Sequence, residues 1–81
     1  MTIRELIKRE HETTLGFSLN HHLESIKEWK EKAENLPFEY AKEFYLMEKG
    51  FLKGMVHTLY LAHAIAETEY LEIQEDIREN Y

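Results

Sequence analysis

Five histidines and sixteen acidic residues in an 81-residue chain make metal binding the first chemistry to weigh, and spacing decides it. Helical zinc sites place histidines at i and i+4, and bundle di-metal sites use Glu-x-x-His. The residues four after His11, His21, His22, His57 and His63 are Leu15, Ser25, Ile26, Leu61 and Glu67, and no histidine has a glutamate three before it. Only His63 with Glu67 and His21 with Glu24 share a helical face, short of the three or four ligands a site needs. No metal and no cofactor is expected. His22 lies beside Ile26 and Trp29, and His63 beside Tyr60 and Ile65, settings that suit a neutral, hydrogen-bonded core histidine. Nucleophilic catalysis has no support: the chain lacks cysteine, Ser18 and Ser25 have no glycine-framed elbow, and three glycines cannot build phosphate loops.

Carboxylates carry the remaining chemistry. Glu48 falls between Phe44 and Phe51 on an apolar arc, where an ionised side chain needs a partner. Lys27 or Lys30, a bound ligand, or rotation of the helix into water would each satisfy it. The pairs Glu28-x-x-Glu31 and Glu72-x-x-Glu75-Asp76 resemble the magnesium-holding motifs of the helical nucleotide pyrophosphohydrolases, over those few positions only. That resemblance implies a metal-dependent helical hydrolase. Lys27, Lys30 and Lys32 stand beside Glu28 and Glu31, however, and a solvated charged face explains both pairs without a catalytic role.

The elements that must position these residues are helical throughout. Thr2 followed by Glu5 has the spacing of a capping box, and Ile3, Leu6, Ile7, Glu10 and Thr14 then follow helical periodicity. Leu19, His22, Leu23, Ile26, Trp29, Ala33 and Leu36 make a second stripe, rotated by roughly 110° from the first at about 100° per residue, so a break is expected at Gly16 with Ser18 as N-cap. Asn35-Leu36-Pro37 ends that helix, since proline disfavours helical geometry just before itself and is tolerated in a first turn. The third helix reads as one long element from Pro37 to Glu79. Its main apolar arc is Ala41, Phe44, Met47, Phe51, Met55, Leu59, Ala62, Ile65, Ala66, Tyr70, Ile73 and Ile77, and a second seam carries Leu46, Gly50, His57, Leu61, Ala64 and Leu71. The fold expected is therefore all-α and one domain, residues 1–81, with helices at about 2–15, 18–35 and 37–79. Two shorter helices fold on the long one, and oligomerisation completes a helical bundle.

Gly50 and Gly54 each cost a helix interior about 1 kcal/mol relative to alanine, and close approach of another backbone would offset that. Self-association, most simply as a homodimer, is accordingly assigned to Leu46, Gly50, Gly54, His57, Leu61, Ala64 and Leu71, with His57 placed to respond to pH. The formal charge of −6 argues against nucleic-acid binding through phosphate contacts. From Glu67 onward six acids face Arg78 alone, which suits a protein partner with a basic surface at Glu72, Glu75 and Glu79. The aromatic residues Trp29, Tyr40 and Tyr45 are the other candidate partner site. The longest run free of Asp, Glu, Lys and Arg, from Gly54 to Ala66, is too short to span a bilayer, and Met1 to Glu5 lack a secretory pattern, so a cytoplasmic location is expected. These features point to a small non-enzymatic regulator or inhibitor that binds another macromolecule. A helical oligomer sequestering a small molecule or nucleotide, in a pocket between subunits lined by Trp29, Tyr45, Lys53 and His57, is the alternative.

Overall fold

The spacing of Thr2 and Glu5 does its expected work in the computed structural model, which describes residues 1–35 and 39–81. Thr2 Oγ1 accepts the Glu5 N–H and the Glu5 carboxylate accepts the Thr2 N–H, both at 3.2 Å. This reciprocal cap starts α1 (Ile3–Arg9). The helix then stops early. Thr13 Oγ1 donates to the Glu10 carbonyl at 2.7 Å and accepts the Gly16 N–H at 3.0 Å, so Thr13 caps α2 (Thr14–Asn35).

Gly16 and Ser18 are thus interior to α2 and the break lies earlier. Gly16 has a different purpose: a Cβ there would stand 1.9 Å from the Glu10 carbonyl oxygen. Only glycine lets the α1–α2 corner fold this tightly against the helix. The expected start at Pro37 lies outside the described residues, as do Leu36 and Phe38, and α3 runs over Glu39–Leu61.

The long third helix is in fact two. After Leu61 the chain reverses: Ala64 N–H donates to the Leu59 carbonyl at 2.9 Å, His63 N–H donates to the Tyr60 carbonyl at 3.0 Å, and His63 takes φ 60°. This pair of bonds with a left-handed residue is the Schellman C-cap. It is hard to foresee because histidine occupies the position that glycine or asparagine usually marks. His63 is exposed in that turn rather than buried. Ile65 anchors the turn in the core, and the Ala66 N–H donates to the Glu69 carboxylate at 2.9 Å, opening α4 (Glu67–Asn80).

Folding back, α4 lies antiparallel to α3. Gln74 Nε2 donates to the Lys53 carbonyl at 3.0 Å, and the Tyr45 hydroxyl donates to the Tyr81 carbonyl. Each helix packs on its neighbour in chain order and α1 closes against α4. Asp76 accepts the Ile3 N–H at 2.9 Å, satisfying a first-turn donor of α1 from across the bundle. Among the described residues the result is an all-α arrangement of four helices with extents of 41 × 24 × 17 Å. Its core is Ile3, Leu6, Leu19, Leu23, Ile26, Leu52, Val56, Ile65, Ile73 and Ile77.

The return of α4 also sets the rotation of α3. Ala41, Leu52 and Val56 are buried, whereas Phe44, Met47 and Phe51 of the expected arc are exposed. At about 100° per residue the buried stripe is turned by roughly 100° from the one the sequence suggests. Aliphatic Leu52 and Val56 join Ile73 and Ile77 in the core cluster, and the aromatic stripe is left outside.

Candidate functional site

What remains outside is a continuous surface. Tyr40, Phe44, Met47, Phe51, Gly54, Thr58 and Leu61 recur at alternating spacings of four and three along α3; these seven are uncharged, with exposed Glu43 bordering them one turn from Tyr40 and Met47. This is the heptad pattern of a helix that faces another helix. Relative exposures of 69% for Tyr40, 40% for Phe44, 43% for Met47, 49% for Phe51 and 63% for Leu61 show that the described residues of the chain leave much of it uncovered. Scattered exposed leucines are ordinary on a monomer, but a contiguous apolar patch is the usual mark of an interaction site.

Along one edge α2 supplies a matching row, Leu15, Ser18, His22, Ser25 and Trp29 at spacings of three and four. Trp29 stacks on Phe44 with ring centroids 4.8 Å apart, and His22 meets Phe51 at 5.7 Å. Lys32 places its ammonium 4.6 Å from the Trp29 ring centroid, a cation–π contact that keeps the indole in position. Between the two rows lies an open groove of about 660 Å³ lined by Leu15, His22, Gly50, Phe51, Gly54, Met55, Thr58 and Leu59. Nothing stands within 4 Å of where a Cβ of Gly50 or Gly54 would sit, so neither glycine serves close packing inside this chain.

The groove has one ionisable fixture. Glu48 finds neither lysine nor open water; its Oε2 lies 2.5 Å from His22 Nδ1, with the two side chains 15% and 24% exposed. A carboxylate only accepts, so Nδ1 carries the proton in this bond and Nε2 is the free ring nitrogen. The charge-assisted bond lets an acid stand in an apolar wall without leaving an unpaired charge.

The remaining candidate residues are not gathered in one place. Leu46 and Leu71 are exposed, Ala64 lies in the turn between α3 and α4, and His57 Nδ1 bonds the Tyr70 hydroxyl at 3.0 Å. The reversal at His63 puts Leu71 on another helix, so the second seam does not continue past Leu61. Glu72 lies 3.1 Å from the Met1 ammonium, and Glu75 and Glu79 each lie 3.2 Å from Arg78; these exposed pairs contribute little stability, but they compensate part of the acidic field. Within one chain Trp29, Tyr45, Lys53 and His57 do not come together: Tyr45 and His57 bond toward α4 while Trp29 stacks on the open side. Glu28 and Glu31 share a shallow polar depression with Lys32 and Asn35. Among the described residues no three His, Asp or Glu side chains converge as a metal ion would require, and no helix is long and apolar enough to cross a membrane.

Sequence reasoning missed the His22–Glu48 pair because it spans two helices. The signal was present in the pairing of α2 with α3, which places 22 opposite 51 and 29 opposite 44, as the ring contacts show. Comparison of the chain with protein-family models, with curated proteins and with solved structures finds no match in any of the three.

Proposed function

We propose that the protein is a non-enzymatic helical regulator or inhibitor that works by docking the open face of α2 and α3 onto the apolar face of another helix. The observation that carries this is the uncharged heptad stripe from Tyr40 to Leu61, exposed along its whole length. Helix-in-groove recognition uses such a surface: anchors one and two turns apart on one side, and a shallow apolar trough on the other. The large side chains Phe44, Met47 and Phe51 supply contact area, with Trp29 stacked on Phe44 beside them. The groove volume also falls within the range of small-molecule pockets, and His22 Nε2 offers a polar handle. Its open form, and the exposed stripe that continues beyond it to Tyr40 and Leu61, favour a helix over a small ligand.

Capture experiments from the source cell test this reading. Met47→Glu with Phe51→Glu should keep the helical circular-dichroism spectrum and lose the captured protein. Reversal of Glu72, Glu75 and Glu79 to lysine should leave capture intact. Retention by the first variant together with loss by the second would move the site to α4 and refute the proposal.

A further inference from the structure

Resting on that reading of the open face, we infer that the helix it receives is α3 of a second copy of this chain, packed antiparallel about a two-fold axis between Leu52 and Lys53. The argument begins with the grading of the stripe. Its first half is large, Tyr40, Phe44, Met47 and Phe51; its second half contains Gly54 and Thr58 before ending at Leu61. A parallel pair would place Gly54 against Gly54 and Phe51 against Phe51, leaving a void at one level and crowding at the next. Close packing does not tolerate either.

An antiparallel pair resolves both. With the axis between 52 and 53, Phe51 of each copy lies opposite Gly54 of the other, Met47 opposite Thr58, and Phe44 opposite Leu61. Large meets small at the first two levels, and the interface is isologous, as a closed dimer requires. The empty space over Gly54 and Gly50 then has an occupant, which explains why two glycines persist in the interior of a helix that gains nothing from them alone.

The area agrees. At about 200 Å² for a fully exposed large side chain, the exposures of Phe44, Met47, Phe51 and Leu61, the residues opposite the second α3, amount to roughly 400 Å². Leu15, His22, Trp29, Met55 and Thr58 around them bring the face toward the ~800 Å² per partner of a stable interface. Electrostatics does not oppose it: the stripe is uncharged, Glu48 at one edge is already paired with His22, Glu43 at the other stands opposite Ala62 of the second copy rather than an acid, and the acidic side chains of Glu67 to Glu79 belong to α4. A heterologous helix would have to displace the second copy.

Light scattering at micromolar concentration should give twice the 9.8 kDa chain mass. Because the chain has no native cysteine, a nitroxide at Tyr40→Cys reports orientation. Antiparallel packing separates the two labels by about 35–40 Å at 1.5 Å per residue, whereas parallel packing keeps them within about 20 Å. Gly54→Ala should raise the melting temperature of dilute, monomeric protein while raising the dimer dissociation constant roughly tenfold or more. A monomer at every concentration, or a tighter dimer in Gly54→Ala, overturns the inference. So does a dimer with the short label distance, which would leave docking at the open face standing. A monomer that still captures a foreign protein through Met47 and Phe51 assigns the face to a heterologous helix.

Discussion

The three glycines give the most exacting test of the fold, because alanine should act on them in opposite directions. At Gly16 the new methyl group would start 1.9 Å from the Glu10 carbonyl oxygen and 2.5 Å from its carbon. Both are backbone atoms fixed by the Thr13 cap, so no side chain can swing aside. Overpacking of a tight site costs about 1–3 kcal/mol, and a backbone obstacle puts this site at the upper end, while the gain in helix propensity returns about 1 kcal/mol. The net loss is about 2 kcal/mol from a domain whose size implies a total of about 4–12 kcal/mol. At about 4–8 °C per kcal/mol, melting should fall by about 8–16 °C. Gly50→Ala and Gly54→Ala meet no atoms within 4 Å and should each raise it by about 4–8 °C in dilute protein. Thermal denaturation followed by circular dichroism, backed by urea midpoints, measures all three. If Gly16→Ala melts at or above the parent temperature, the α1–α2 corner is not built as described.

Two further outcomes follow from single contacts. His63 holds a left-handed conformation that costs a non-glycine residue about 1–2 kcal/mol, so His63→Gly should stabilise by about 0.5–1 kcal/mol after the greater freedom of unfolded glycine is counted; a β-branched His63→Val should melt lower than the parent, and the reverse order would refute the Schellman assignment. His22 and Glu48 should be coupled by about 1–2 kcal/mol in a double-mutant cycle with His22→Leu and Glu48→Leu. Glu48→Leu should be the milder single change, since His22→Leu strands a carboxylate in an apolar wall, and a coupling indistinguishable from zero would show that the short contact does not persist in solution.

The parts of the fold legible in the sequence are those decided locally. The capping box at Thr2 and Glu5 forms from residues three apart, and Leu19, Leu23 and Ile26 are buried as their stripe requires. Two local signals misled. Gly16 reads as a helix break because glycine disfavours helices, yet its value is the space it leaves for Glu10, which no local rule contains. His63 reads as core because its neighbours are apolar, yet histidine tolerates the left-handed region better than most residues, and the turn depends on Ile65 finding the core. The His22–Glu48 contact is legible only after the hairpin register is known.

The rotation of α3 failed for a more informative reason. The segment from Tyr40 to Leu61 carries two apolar arcs about 100° apart, one through Phe44, Met47 and Phe51 and the other through Leu52 and Val56. A helix in a four-helix arrangement with two flanking neighbours has enough covered surface for one of them. Periodicity alone cannot say which, because either satisfies the amphipathic pattern, and here the return of α4 buries the aliphatic one. The aromatic arc is then surplus to the fold. Surplus apolar surface of that length opposes solubility unless something covers it, so the same second arc that defeats the assignment of phase is the one on which the proposed docking face rests.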